Sequence, residues 1–391
     1  MKHRILRRII YALCWPLGWV FLHLRYRLTV ARRPRLPERY LVIGNHTTNL
    51  DPVLAGFALR RHMYFVATEH ILYTGKAAGL LRALFDPIAR PKGGNGTGAV
   101  LEILRRLKSG ANVCLFAEGN CSWDGRTQPF LEATGKMVRS SGASLVTIRT
   151  EGAYFAEPRW RNKPVRGPVR IGVVNIYSPE ELKSMTPAQI NAHIAEDIRE
   201  DAYETLEKKP AVYPGKNLAA GIEHLLVMCP ACRSVGTLRG EGKRFSCRCG
   251  LSGTYDEHAR LSGEGVPFGT LAQWSDWQKE EIARLPADER ELAHDDDLIL
   301  NRIEAHARTL IARGRVSMTP RELTVGEQSY PLSEISDMAV RLQGTVSFSL
   351  RSGGYYELVD PGKERYSGYR YYLLYQHFRE VSHDFGNQLL G

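Results

Sequence analysis

The sequence predicts an α/β layer domain with its site at strand ends, then a small four-cysteine ribbon, then an antiparallel β domain closed by a helix. Three observations carry this. Short apolar runs at 40–43, 113–116 and 145–148 alternate with helix-period segments. Two close cysteine pairs flank a Gly-rich hairpin at 239–243. From about Arg315, apolar and polar residues alternate between glycine turns. A chain of 391 residues has room for two or three domains. The expected boundaries are 1–39 for a basic amphipathic arm, 40–216 for the α/β domain, 217–260 for the ribbon, 261–312 for a helical linker and 313–391 for the β domain.

The arm holds most of the charge. The formal net charge is +11, and residues 1–40 carry ten Lys and Arg against Glu38 alone, which leaves about +2 for the remainder. Within it, residues 9–22 form a charge-free stretch of fourteen residues, whereas a spanning helix needs about twenty. Trp15 and Trp19 suit a headgroup boundary, and the flanking cations, Arg32 and Arg33 among them, suit anionic lipid. Arg25, Arg27, Arg32 and Arg33 after the apolar core, with no small-x-small site, argue against a cleaved signal peptide. The Trp-rich centre argues against a nucleic-acid arm. The expectation is a peripheral or monotopic anchor on the cytoplasmic face of the cell membrane, with membrane lipids as partners and no nucleic acid.

The run at 40–43 closes on Gly44 and Asn45 and delivers His46 to a loop, with Asp51 five residues on and Pro52 beside it. Asn49, Asp51 and Pro52 are helix-start residues, so Asp51 is expected in the first turn of a helix. A carboxylate held against an imidazole fixes its tautomer and stabilises the imidazolium, which makes a general base. A capping Asp beside a structural His reads from the same spacing. The stretch resembles the H-x4-D signature of the glycerophospholipid acyltransferases, the family that includes 1-acylglycerol-3-phosphate acyltransferase. The resemblance runs from about 40 to about 210. It implies that His46 deprotonates an acceptor hydroxyl, that Asp51 positions it, and that the donor is a fatty acyl thioester of coenzyme A or acyl carrier protein, with direct acyl transfer.

Further along, apolar residues at 100, 103, 104 and 107 share one helix face, so a helix is expected to pack on a sheet. The segment 116–122, Phe-Ala-Glu-Gly-Asn-Cys-Ser, looks like the family's third motif, with Glu118, Gly119 and Ser122 matching. Ala117 stands for a proline, and Cys121 for an arginine that holds the acceptor's phosphate. A neutral thiol makes no bidentate phosphate contact, so Arg126 or Arg149 would substitute, or the acceptor lacks that phosphate. Nothing in the local sequence marks Cys121 as an activated nucleophile. Segment 85–94 fits the second motif, with Arg90 on the acceptor headgroup and Lys92 beside it. Gly93, Gly94, Gly96 and Gly98 lead into the helix without the G-K-[ST] ending of a nucleotide loop; a plain loop fits them equally. By this reading Asn45, Arg90, Glu118, Gly119, Ser122 and Arg126 are the substrate-binding set. The apolar strand at 145–148 would wall the acyl chain, and Ser178 with Glu181 opens a helical stretch ending near Glu207.

Seven cysteines are an odd number. Cys229 and Cys232, then Cys247 and Cys249 after fourteen residues, suit a structural Zn2+ site in a reducing compartment more than a disulfide framework. Cys114, in a strand, reads as core. A polar helical segment containing Trp274, Trp277 and the acidic run 295–297 is expected next. The C-terminal strands, followed by a helix with Tyr371, Leu374, Tyr375 and Phe378 on one side, look similar to a pleckstrin-homology-like or GRAM-like module. The resemblance as a whole implies an acyltransferase acting on a lysophospholipid such as 1-acylglycerol-3-phosphate. A non-catalytic lipid- or protein-binding scaffold on the same fold, or a zinc-ribbon nucleic-acid protein, stands as the alternative. The oligomeric state is left open.

Overall fold

The computed structural model describes residues 2–31, 34–68, 79, 85–90, 97–288, 290–304, 307–362 and 366–388. Arg32 and Arg33 of the arm, and Lys92, Gly93, Gly94 and Gly96 of the glycine run, lie outside them. The chain divides into two compact units, one of Met1–Arg159 with Lys163–Gly215, the other of Trp160–Asn162 with Lys216–Gly391.

The first unit opens with helix α1 (Lys2–Arg25) and strand β1 (Arg27–Val30). Then follow β2 (Tyr40–Gly44), α2 (Asp51–Leu59), β3 (Tyr64–Thr68), β4 (Ile88–Arg90), α3 (Thr97–Lys108), β5 (Val113–Leu115), α4 (Ala133–Ser140) and β6 (Ser144–Glu151). It ends with α5 (Ala153–Ala156), β7 (Pro168–Tyr177), α6 (Pro179–Ser184), α7 (Pro187–Ile198) and α8 (Ala202–Lys208). The strands form one sheet in the order β1-β7-β6-β2-β5-β3-β4. Neighbours run parallel except β6 and β7. Helical crossovers are what parallel neighbours require. All five residues of β2 are buried, as its uninterrupted apolar run anticipates for a central parallel strand. Ile43 pairs with Leu115 of β5, so the loops leaving these two strands emerge side by side. On α3, Ala99, Ile103 and Leu107 are buried, with Val100 and Leu104 partly so, which places the expected face on the core. Ser178 caps α6 through a reciprocal bond with Glu181.

Helix α1 has two apolar faces. On one, Trp15 stacks on Phe57 of α2 at 5.4 Å, the Tyr11 hydroxyl donates to the Gly56 carbonyl, and Leu22 is buried. About half a turn away, Leu13, Leu17 and Leu24 are 71 %, 75 % and 71 % exposed, and Ile9 and Val20 share that stripe. Trp15 is thus turned to α2. No helix among the described residues is long and apolar enough to cross a membrane.

The second unit contains a four-stranded ribbon of β8 (Leu238–Glu241), β9 (Arg244–Cys247), β10 (Ser252–Tyr255) and β11 (Leu261–Ser262), followed by α9 (Leu271–Ala283). The helix expected as a linker is packed instead. Trp274 and Gln278 are fully buried. The Trp274 indole donates to the Met228 carbonyl at 2.9 Å, and the Gln278 amide takes the Val227 N–H and donates to the Leu225 carbonyl, both at 2.9 Å.

The antiparallel sheet begins earlier than 313. Strand β12 is Ala293–Glu304 and β13 is Ala307–Met318. The acidic run 295–297 therefore lies in a strand, at an irregularity where the register with β13 shifts between Asp295 and Leu298. That extra length breaks the two-residue alternation by which a strand is read. Strands β14 (Glu322–Val325), β15 (Gln328–Pro331), β16 (Ile335–Arg341), β17 (Thr345–Leu350) and β18 (Tyr355–Val359) complete a seven-stranded sheet. Two meanders, β12 to β15 and β16 to β18, join through β12 and β18. Helix α10 (Gly368–Gln388) buries Tyr371, Leu374, Tyr375 and Phe378.

Candidate active site

Asp51 opens α2 with its side chain wholly buried. A carboxylate is tolerated there only when its oxygens are bonded. Its Oδ2 takes the N–H groups of Thr47 at 2.6 Å and Thr48 at 2.9 Å, and meets His46 Nδ1 at 2.8 Å. Its Oδ1 takes the hydroxyls of Thr48 at 3.2 Å and Thr47 at 3.3 Å. The five-residue spacing is thus a closed local turn that aims the carboxylate at the imidazole. With Nδ1–H given to Asp51, the neutral ring keeps its lone pair on Nε2. The His46 side chain is 18 % exposed, and its ring stacks on Phe116 with centroids 4.8 Å apart. Burial disfavours the imidazolium, but Cys121 and Asp51 beside the ring outweigh it and hold His46 well above its ordinary value.

Glu118 is a clamp between two loops. One carboxylate oxygen accepts the His46 N–H and the other the Gln128 N–H, each at 2.6 Å. Burial pushes this carboxyl up to about 7, against the pull of those two N–H groups. The Ser122 N–H donates to the His46 carbonyl at 2.8 Å, a second tie between the loops. Gly119 turns with φ of +73°, and a Cβ there would lie 3.0 Å from Arg90 Nη1, so the Arg90 guanidinium sits over this turn.

His46, Asp51, Glu118, Gly119 and Arg90 are therefore brought together. Three residues of the expected substrate-binding set are engaged elsewhere. The Asn45 side chain, 1 % exposed, exchanges hydrogen bonds with the main chain of Thr150, pinning the end of β2 to β6. The Ser122 hydroxyl, fully buried, accepts the Gly125 N–H at 3.0 Å. Arg126 pairs with Asp201 at 3.0 Å. Arg149, the other cation considered for a phosphate, donates to the carbonyls of Glu196 and Asp197 at the end of α7. Asn45, Arg126 and Arg149 are held by residues distant in sequence, which no local pattern reveals, whereas Ser122 is held within its own turn by Gly125. Two further features belong to this site. The threonines of Thr-Thr-x-x-Asp are a local signal for the carboxylate turn. Arg159, whose Nη1 donates to the Cys121 carbonyl at 2.9 Å and whose guanidinium lies 3.9 Å from the Trp123 ring centroid, has no such signal.

Cys229, Cys232, Cys247 and Cys249 gather with their sulfurs all within 4.8 Å of one another. Cys229 and Cys249 are 3.7 Å apart, and Cys232 and Cys247 3.8 Å. Four thiolates around one zinc at about 2.3 Å stand about 3.8 Å apart along a tetrahedral edge. The donor set and its size fit a zinc ion, with the Thr237 hydroxyl at 3.1 Å from Cys247 Sγ as an outer contact.

Residues 27–151 match the family model described as Acyltransferase. Among solved structures, the chain is similar to the 1-acyl-sn-glycerophosphate acyltransferase of Thermotoga maritima, with 19% identity and a TM-score of 0.42, over 52% of this chain and 82% of that one. It is also similar to the C-terminal domain of an unknown protein from Leishmania infantum, with 17% identity and a TM-score of 0.16, over 23% of this chain and 84% of that one. The matched span contains the His46 turn, Arg90, the Glu118 clamp and Cys121, and these residues lie in an acyltransferase-family domain.

Proposed function

We propose that the protein is an O-acyltransferase of the membrane surface, moving a fatty acyl group from a thioester of coenzyme A or acyl carrier protein to a hydroxyl of a lysophospholipid. The observation that carries this is the His46–Asp51 pair, inside a span matching the acyltransferase family. Nε2 of His46 takes the proton of the acceptor hydroxyl as that oxygen attacks the acyl carbonyl, and Asp51 stabilises the imidazolium. Arg90, over the Gly119 turn, is the cation for the acceptor headgroup, since Arg126 and Arg149 are committed to the scaffold. The exposed stripe of α1 lies in the lipid boundary and brings the site to its acceptor. The four cysteines hold a structural zinc, and the seven-stranded sheet with α10 serves as a pleckstrin-homology-like docking module.

The test is thiol release from acyl-coenzyme A and acyl carrier protein, with the full chain on anionic vesicles carrying a panel of lysophospholipids. Acceptor-dependent release that His46→Ala abolishes is expected. No release with any donor and acceptor would instead favour a lipid- or protein-binding scaffold.

A further inference from the structure

Cys121 sits on the base. Its sulfur lies 3.4 Å from Nε2 and 3.5 Å from Nδ1 of His46, while Nδ1 is tied to Asp51 at 2.8 Å. We propose that Cys121 is the nucleophile of a Cys121–His46–Asp51 triad, and that the acyl group passes through a thioester on Cys121 before it reaches the acceptor. This rests on the acyl-transfer reading above and names the residue that carries the acyl group between its two substrates.

The scaffold fixes the main chain at Cys121 and the base beside it. The Ser122 N–H bond to the His46 carbonyl fixes the chain next to the base at 2.8 Å. Arg159 holds the Cys121 carbonyl at 2.9 Å. Phe116 backs the imidazole ring. The tautomer is also right, because Asp51 takes the Nδ1 proton and leaves Nε2 to receive the S–H proton. The near-equal distances put the sulfur over the edge between the two nitrogens. Cys121 is 8 % exposed, which keeps bulk water from its sulfur. The other six thiols are placed differently: Cys14 is exposed on α1, Cys114 is sealed in β5, and four more form the sulfur cluster.

The steps balance without a redox partner. The S–H proton passes to Nε2 as the sulfur attacks the donor carbonyl. The donor sulfur then leaves and takes that proton as a free thiol. His46, neutral again, removes the proton of the acceptor hydroxyl as its oxygen attacks the Cys121 thioester. The Cys121 sulfur departs and recovers the proton. The first step exchanges one thioester for another and is close to balanced in energy.

The experiment incubates the full chain with a labelled acyl-coenzyme A without acceptor, then maps protein-bound label by peptide mass. Two-substrate kinetics are measured alongside. The expected result is about one equivalent of released thiol, hydroxylamine-labile label on the Cys121 peptide, and parallel initial-rate lines. Cys121→Ala should lose that label and at least about 100-fold in turnover, and His46→Ala should also lose it. Cys121→Ser, which keeps the side-chain volume closer, should retain label as a hydroxylamine-resistant ester, with melting curves confirming that both variants fold. Cys121→Ala turning over within about threefold of the parent would overturn the proposal while leaving the acyltransferase reading intact. So would converging lines with no label on the Cys121 peptide. Absence of thiol release by the parent chain with every acceptor would remove both.

Discussion

His46 acts as a base only while neutral, and its surroundings favour the charged form. The sulfur of Cys121 and the carboxylate of Asp51 raise its pKa despite burial. The acid limb of kcat/KM should therefore lie above about 6.5, the ordinary histidine value, with activity lost as pH falls through it. Asp51→Asn should move that limb downward and lower kcat by about 10²- to 10⁴-fold, through loss of the tautomer and of imidazolium stabilisation. A pH–rate profile of parent and variant checks this, and a parent limb below 6.5 would contradict it. Glu118 offers a second test. If it clamps the two loops, Glu118→Ala strips the acceptors from the N–H groups of His46 and Gln128. The cost is about 1–3 kcal/mol for each buried N–H left bare. The melting temperature and kcat should fall together with KM little changed, and Glu118→Gln should lie between. A raised KM with unaltered melting would show contact with the acceptor instead.

At the scale of elements, α1 and the cysteine ribbon each make a separable claim. Replacing Leu13 and Leu17 by Asp removes apolar area from the exposed stripe and should weaken binding to anionic vesicles by at least about tenfold, with the melting temperature held. Trp15→Ala, on the face packed against Phe57, should lower the melting temperature first. Vesicle co-sedimentation and thermal melts separate the two faces, and unchanged partition of the Leu13 and Leu17 variant would refute the lipid-facing stripe. For the ribbon, about one zinc per chain is expected by elemental analysis, with loss of metal in Cys232→Ser and a lower melting temperature on chelation. A chain purified at full stability without metal would exclude it. Legibility in the sequence tracked locality. The His46 turn, the face of α3 and the Ser178 cap are made by residues within a turn or two of each other, and periodicity or spacing shows them. Strand β12 escaped because a register shift interrupts its alternation at Asp295. Helix α9 read as a polar linker because its burial rests on Trp274 and Gln278 bonding to the chain near residue 227.

At the scale of the whole chain, the site's components come from segments some 70 residues apart, which the sheet order makes neighbours. Because β2 lies beside β5, the His46 loop meets the Glu118 loop. The sequence marked each loop through its motif, whereas the Cys121 contact with His46 and the diversion of Arg126 and Arg149 into the scaffold depend on how strands and helices pack. The apolar stripe on α1, the base–carboxylate pair and the arginine over Gly119 all belong to the first unit, and together they form the proposed acyl-transfer apparatus. The most direct measurement is mass-spectrometric detection of the acylated lipid after the full chain is given an isotope-labelled acyl thioester and a lysophospholipid on vesicles. The account predicts labelled diacyl product from the parent chain and none above background from His46→Ala. Product formed equally by both, or by neither across all donors and acceptors, would contradict it.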